Sequence, residues 1–192
     1  LLQAAFRSES YSDDNTTSDF KVAGRYSFGN LLTLRGGYST GFRAPTPGQM
    51  NYTGVTTSFD GVTGMQVNEG TLKPTDPLCV ALGGKALVPE DAVNTSFGLT
   101  ANPISGLNMT FDMYTVEVTG KLLKSRSIGI EGNPEFSELA FYTNALDTKT
   151  SGFDLVAVYN LDNTTVSMAY NHNETEVLQQ TQVNGVNPVS DG

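Results

Sequence analysis

The feature that most constrains the fold is an alternation of apolar and polar residues that recurs along most of the chain. In the segment 107–113, Leu, Met and Phe alternate with Asn, Thr and Asp. Because successive side chains of a β-strand point to opposite faces, this period of two indicates a strand with one apolar and one polar face.

Six further segments alternate in the same way, so the sequence predicts about seven strands. Their apolar positions are Leu2, Ala4 and Phe6; Phe20, Val22, Tyr26 and Phe28; Leu32, Leu34 and Tyr38; Val93, Phe97 and Leu99; Phe153, Leu155, Ala157 and Tyr159; Val166, Met168 and Tyr170. The residue types, rich in Phe, Tyr and Thr, favour an all-β fold with many turns.

The connections between these strands alternate in length. Short links lie at 29–30, 102–106 and 161–163, and longer polar links lie at 10–18, 42–89, 120–138 and after 177. This order puts all turns at one edge and all long connections at the other, which is typical of an antiparallel transmembrane β-barrel. Strands of such barrels cross the bilayer with about 9–11 residues, close to the predicted lengths.

Charged residues in the middle of strands agree with a barrel. Arg25 and Arg35 both fall in the polar phase, so they would project into the lumen and avoid the roughly 2–4 kcal/mol that a lipid-facing arginine costs at the bilayer midplane. A soluble β-sandwich whose polar phase faces water has the same charge placement. The sorting of the connections favours the barrel over the sandwich.

Composition limits the classes of partner and site. The net charge is -9 and no Lys or Arg cluster occurs, which argues against a nucleic-acid partner. Cys79 is the single cysteine, so we expect a small loop or core residue and no cysteine metal cluster. The chain begins inside an apolar alternation and ends in polar sequence, which indicates a segment of a longer protein.

Ser39 lies in a short motif that also occurs around catalytic serines. The letters GYSTG match the G-x-S-x-G pattern of serine hydrolases, and the single histidine, His172, lies downstream. A nucleophile elbow needs a strand, a strained turn and then a helix. Pro45 and Pro47 predict that no helix follows, so no catalytic residue is assigned. His172 is expected to be a solvated residue near the long-connection end of its strand, and no metal ligand is assigned.

Several segments, in their order along the chain, resemble the TonB-dependent receptors. The letters RGGYSTGFRAP resemble that family's signature at the end of an outward-running strand, and ALGGKALVPEDAVNTSFGL resembles the segment before the next strand. GLNMTFDMYTVEV, FYTNALDTKTSGFDLVAVYNL and RSESYSDDNTTSDFK are similar to other strands and an earlier loop. The motif positions are Gly41, Phe42, Arg43, Ala44, Pro45, Pro89 and Glu90.

The resemblance implies both a fold and a function. Residues 1–192 would be one partial barrel domain of a roughly 22-stranded barrel, without its N-terminal plug and remaining strands. The whole receptor would lie in the outer membrane of a Gram-negative bacterium. Its implied partners are outer-membrane lipid, the TonB complex through the missing N-terminal part, and a scarce large solute: an iron-siderophore, cobalamin or an oligosaccharide. Neither enzymatic activity nor a cofactor is implied.

The connection 42–89 is the preferred place for solute contact, because about 48 residues without clear periodicity are unusual for a plain loop. The candidate contact residues are Tyr52, Phe59 and Asp60 in this connection, with Arg25 and Arg35 on the polar face. Alternatively, these side chains only pack the connection or meet the missing plug. A second function stays open, a secreted β-sandwich for adhesion or carbohydrate binding, because the strands are rich in Thr and Asn.

Overall fold

The computed structural model describes residues 1–11, 16–59, 62–185 and 187. Over these residues it contains strands and two five-residue helices, and neither helix is long and apolar enough to cross a membrane. The elements are β1 Leu2–Ser10, β2 Thr16–Phe28, β3 Leu32–Arg43, α1 Pro47–Asn51, β4 Gly54–Phe59, β5 Gln66–Thr71, α2 Pro77–Ala81, β6 Glu90–Ala101, β7 Leu107–Lys124, β8 Ile128–Gly129, β9 Glu138–Ala140, β10 Tyr142–Leu161 and β11 Thr164–Gln180.

The main sheet confirms the predicted strands. Seven strands lie in the order β1-β2-β3-β6-β7-β10-β11 and form an antiparallel sheet. The sheet is open, with β1 and β11 at its edges. A second sheet has the order β4-β5-β9-β8, in which β5 and β9 pair in parallel. The sequence did not predict this second sheet, because its strands are short and pair across distant segments.

Cross-strand pairing confirms the two faces of the main sheet. Between β2 and β3, Tyr26 pairs with Leu34 on the face that we call the apolar face, whereas Arg25 pairs with Arg35 on the polar face. Large side chains of the apolar face remain exposed, among them Phe6 (74%), Tyr26 (65%) and Met168 (55%). A continuous exposed apolar face is typical of the lipid-facing side of a transmembrane β-sheet.

Three strands are much longer than the roughly 9–11 residues that the sequence predicted. β7 has 18 residues, β10 has 20 and β11 has 17. Beyond Met113 the apolar face becomes polar, as in the ion pair between Glu117 Oε1 and Lys149 Nζ at 3.2 Å. The apolar alternation therefore marks only the part of each strand that can border lipid, and the strands continue past it.

The chain divides into two compact units. The wall unit comprises 1–42, 91–118 and 148–176, and the connection unit comprises 43–90, 119–147 and the described residues of 177–192. The connection unit has a hydrophobic core of its own. Its buried members are Leu72, Cys79, Ile128, Phe136, Leu139, Phe141, Ala145 and Val183. Because β3 ends at Arg43 and β6 begins at Glu90, the connection comprises residues 44–89, and its described residues are folded although the sequence shows no clear periodicity.

The expectation that Pro45 and Pro47 prevent a helix was wrong for Pro47. Helix α1 begins at Pro47, where the missing N–H removes no helical hydrogen bond. Thr46 caps the helix: its Oγ1 accepts from the Gln49 N–H at 3.2 Å, and the Gln49 side chain accepts from the Thr46 N–H at 2.9 Å. A proline at the first helical position is thus a start signal here.

Candidate functional site

The polar face of the wall unit carries a cleft of about 300 Å³ that extends across the five neighbouring strands from β1 to β7. Small residues open it, because Ala23, Gly37 and Gly98 lie on the polar face where larger side chains would fill the space. The cleft is also lined by three cationic side chains and one carboxylate, those of Lys21, Arg25, Arg35 and Asp112. The side chains at the cleft thus have an excess of positive charge.

Arg35 forms a bidentate ion pair within this cleft. Its Nε donates to Asp112 Oδ1 at 2.9 Å and its Nη2 donates to Asp112 Oδ2 at 2.5 Å. Its Nη1 also donates to Thr100 Oγ1 at 3.5 Å. The pair connects β3 with β7 and passes over Gly98 of β6, the strand between them. Asp112 was predicted only as a polar-phase residue, because two-residue periodicity contains no information about pairing across an intervening strand.

Arg25 is the Cα partner of Arg35 and is exposed. Like charges placed opposite each other on a sheet destabilise it, and the pairing of Arg35 with Asp112 reduces that repulsion. The backbone of Arg25 exchanges hydrogen bonds with Leu1, at 2.9 Å from its N–H and 2.8 Å to its carbonyl oxygen. Its guanidinium is therefore held at the cleft by strand pairing on both sides of β2.

The predicted contact residues of the long connection lie in the other unit. Tyr52 follows α1 and is 54% exposed, and Phe59 ends β4 and is 72% exposed. Asp60 lies outside the described residues. The hydroxyl of Tyr52 lies beside Gly54, where a Cβ would be only 2.6 Å from it. The predicted residues thus form two groups, one in each unit, and the two aromatic rings are accessible.

The motif residues end β3 and begin the next strand of the sheet. Phe42 contacts Tyr11 edge-on, with ring centroids 5.9 Å apart. Gly41 belongs to β3, while Ala44 and Pro89 are half-buried and Pro45 is buried. Arg43 and Glu90 belong to separate motifs in the sequence, and the structure brings them together as an ion pair.

Glu90 is a buried carboxylate with three donors. Arg43 donates from Nε to Oε2 at 2.9 Å and from Nη2 to Oε1 at 2.5 Å, and the Leu122 N–H donates to Oε1 at 2.5 Å. Burial raises the pKa of Glu90, but the hydrogen bonds from Arg43 and Leu122 outweigh it and hold the pKa below the ordinary value of 4.5. Glu90 is therefore ionised at neutral pH and fixed in place.

Asn144 is a structural residue that sequence reasoning missed. Its Oδ1 accepts from the Val88 N–H at 3.0 Å, and its Nδ2 donates to the carbonyl oxygens of Val88 at 2.9 Å and Gly120 at 2.6 Å. The Asn-Ala letters at 144–145 entered only through the family resemblance. Neither periodicity nor charge distinguishes this asparagine from the chain's many others.

The remaining candidates occupy ordinary structural positions. Ser39 lies within β3 opposite Lys21, and the strand continues to Arg43 without a strained turn. His172 lies in the middle of β11, eight residues before its end, where it is exposed with its ring 5.7 Å from that of Phe153. The expectation that it lies near the strand's end was therefore wrong, because β11 runs on through polar sequence. Among the described residues, no cluster of His, Cys, Asp or Glu could hold a metal ion.

Cys79 is a core residue, and the sequence predicted either a loop or a core position for it. It is fully buried in α2 of the connection unit. Burial raises the pKa of its thiol, and the charge of Asp76 raises it further, from 9.0 to about 11. The thiol is therefore protonated at neutral pH, and it is neither nucleophilic nor a ready metal ligand.

The sheet, with its exposed apolar face and its charged polar face, is a section of a transmembrane β-barrel wall. The chain matches the family described as TonB dependent receptor-like, beta-barrel, over residues 1–191. It therefore belongs to the TonB-dependent receptor β-barrel family, which confirms the resemblance and decides against a secreted β-sandwich. No curated protein sequence matches the chain.

Solved structures of receptors and a transporter share the fold. The siderophore receptor PirA from Pseudomonas aeruginosa is similar with a TM-score of 0.71 and 16% identity, over 92% of this chain and 31% of that one. The ferric enterobactin receptor PfeA from the same organism gives 0.63 and 15%, over 93% and 24%. The RagAB peptide transporter gives 0.62 and 16%, over 93% and 20%. This chain thus spans less than a third of the length of each of these proteins.

Proposed function

We propose that this chain is one section of the barrel domain of an outer-membrane receptor in a Gram-negative bacterium. The whole receptor binds a scarce large solute and imports it with energy transduced by TonB. The plug, the segment that contacts TonB and the remaining strands belong to other parts of the same protein. The single observation that carries the proposal is the family match over residues 1–191, and the two-faced sheet agrees with it.

The section contributes contact surfaces and involves no bond chemistry. Arg25 and Arg35 line the lumen, and Tyr52 and Phe59 are exposed in the connection unit. Guanidinium groups bind anionic oxygens and aromatic rings stack on planar groups, so these residues suit a polar solute with a negative charge. Asp60 is a further proposed contact residue, although its placement is not described.

An iron-siderophore complex is the first candidate solute, and cobalamin or an oligosaccharide is the alternative. The excess of cationic side chains at the cleft supports an anionic iron chelate over a neutral sugar. Two of the similar structures are a siderophore receptor and a ferric enterobactin receptor, which supports this choice.

An uptake assay tests the proposal. The receptor gene would be deleted in its native host, and uptake of iron-55 enterobactin, labelled cyanocobalamin and a labelled maltodextrin would be compared with the parent strain and with a strain lacking TonB. We expect the uptake of one probe to be lost to the same extent in both deletion strains. Unchanged uptake of all three probes, or loss in the receptor deletion alone, would contradict a TonB-driven importer of these solutes.

A further inference from the structure

We propose that Glu90 and Asn144 are positioning residues that anchor the connection 44–89 at its C-terminal end, so that Tyr52 and Phe59 are presented by a preorganised segment. The solute-contact part rests on the proposed function. The anchoring itself depends only on contacts within the connection unit. It can therefore be tested without any solute.

The first anchor joins the two ends of the connection. Arg43 is the last residue of β3 and Glu90 is the first residue of β6, so their ion pair closes the intervening segment into a loop. The Glu90 carboxylate also accepts from the Leu122 N–H of β7. Its side chain is only 9% exposed, whereas that of Arg43 is 57% exposed. The buried carboxylate thus links the ends of β3 and β6 to the backbone of β7.

The second anchor holds the residue two positions before Glu90. Asn144 of β10 binds both backbone groups of Val88, which leaves that backbone paired as it would be in a sheet. The same side-chain amide donates to the Gly120 carbonyl oxygen of β7. Both donors and one of the two acceptor lone pairs of the Asn144 side-chain amide are therefore in use.

Both anchors meet the backbone of β7 at neighbouring positions, Gly120 and Leu122. Gly120 has a left-handed φ of +64°, and its N–H donates to Asp147 Oδ1 at 2.8 Å. This conformation is unfavourable for residues with a Cβ and turns the backbone groups of Gly120 toward the side chains of β10. The backbone of β7 at Gly120 and Leu122 thus provides the binding partners that hold the C-terminal end of the connection.

The most deeply buried part of the connection unit's hydrophobic core lies apart from the hydrogen bonds of these anchors. Cys79, Leu139 and Phe141 are fully buried, whereas the side chains of Glu90 and Asn144 bond to Arg43, Leu122, Val88 and Gly120. Loss of an anchor should therefore release the C-terminal end of the connection locally and leave the core folded. A residue that contributes only to overall stability would affect both regions alike.

Hydrogen exchange measured by mass spectrometry on the whole receptor tests the anchors. The variants Glu90→Gln and Asn144→Asp are close in shape to the wild-type side chains but lose the ion pair and the two amide donations. We expect exchange at 84–90 and 119–123 to become about tenfold faster or more, as for the loss of a charge-assisted hydrogen bond, with 139–141 unchanged. Lys124→Gln is the matched control, because it removes the longer 3.4 Å contact with Glu69 in the same unit.

Two further readouts decide the case even if one variant does not fold. In the wild-type receptor, the amides of Val88, Gly120 and Leu122, which donate to side chains, should exchange as slowly as those of β10. In addition, Arg43→Gln combined with Glu90→Gln should accelerate exchange no more than Glu90→Gln alone, because both act through one pair. Fast wild-type exchange at these amides, acceleration that extends equally into 139–141, or additive effects would overturn the proposal. Failure of the uptake assay would leave the anchors untouched.

Discussion

Arg35 of β3 reaches Asp112 of β7 across Gly98 of β6, with Arg35 Nε 2.9 Å from Asp112 Oδ1. A Cβ added at Gly98 would lie 2.7 Å from Arg35 Nε and would also overlap Asp112 Oδ1. Glycine usually weakens a strand, because it has no side chain to pack and much conformational freedom. At Gly98 the absence of a side chain leaves the space that the ion pair between Arg35 and Asp112 occupies.

We expect Gly98→Ala to abolish the coupling between Arg35 and Asp112 with little change in overall stability. The two side chains are 44% and 34% exposed and flexible, so they can move aside. Their pair contributes about 0.5–1 kcal/mol, and alanine in a strand regains a similar amount relative to glycine. A double-mutant cycle of Arg35→Gln and Asp112→Asn on the folded receptor in detergent, in wild-type and Gly98→Ala backgrounds, measures the coupling.

Gly24→Ala is the matched control for that cycle, because no atom lies within 4 Å of a Cβ at this β2 position. The coupling energy should keep its wild-type value in this background. A coupling that persists in the Gly98→Ala background would show that the pair does not need the path over β6.

The assignment of faces gives a second expected outcome at β11. Met168 is on the apolar face and Ser167 on the polar face, one residue apart in the same strand and both exposed. Met168→Arg places a charge toward lipid and should lower the free energy of unfolding by about 2–4 kcal/mol, whereas Ser167→Arg should change it by about 1 kcal/mol or less. Denaturant unfolding of the receptor in lipid vesicles measures both, and equal effects would contradict the assignment of the faces.

The main sheet could be predicted from the sequence because its signal is local. Alternation places each side chain on a face, and Gly29 at the β2–β3 turn, with φ of +61°, is a signal that needs no tertiary contact. The four-stranded sheet depends instead on β5 pairing with β9, whose residues are about 70 positions away. Its strands have only two to six residues, too few for a periodic pattern to stand out.

The site was predicted less completely, for the same reason. Arg25 and Arg35 could be placed on the polar face, since a charge in mid-strand has a clear preference for one side. Asp112 and Asn144 could not be paired with their partners, because these contacts join residues that are distant in sequence. The pairing of Arg43 with Glu90 has the same origin, a separation of 47 residues.

Cys79 should be almost inert to thiol reagents in the folded receptor at pH 8. Its thiol is buried, and its pKa is raised from 9.0 to about 11, so the reactive thiolate is scarce. Labelling with iodoacetamide, read out on the peptide that contains Cys79, should become fast only in denaturant. The introduced thiol of Val80→Cys is a matched control, since Val80 is 52% exposed and should label in the folded state.

The raised pKa also sets the direction of a pH effect. A thiol whose pKa is higher in the folded protein stabilises it below the unfolded pKa near 9, and that contribution is lost as the pH rises toward about 11. Cys79→Ala should remove this part of the alkaline destabilisation. Rapid native labelling at pH 8 would show that the thiol is neither buried nor protonated.

Glu90 should make the connection unit sensitive to acid, in the opposite direction to Cys79. Glu90 lies in the connection unit, outside the lipid-bordering part of the wall, and its folded pKa is below 4.5. A lowered carboxyl pKa stabilises the fold above the unfolded value, and this contribution is lost as the pH falls through the folded pKa. Glu90→Gln does not titrate at this position, so its melting temperature should lie below that of the wild type at neutral pH and approach it as the pH falls below 4.5. Asp91→Asn is the matched control: Asp91 is the exposed neighbour of Glu90, and its substitution removes the same charge from the sequence. A melting-temperature difference between Glu90→Gln and wild type that stays constant from neutral to acidic pH would mean that the charge of Glu90 does not stabilise the unit.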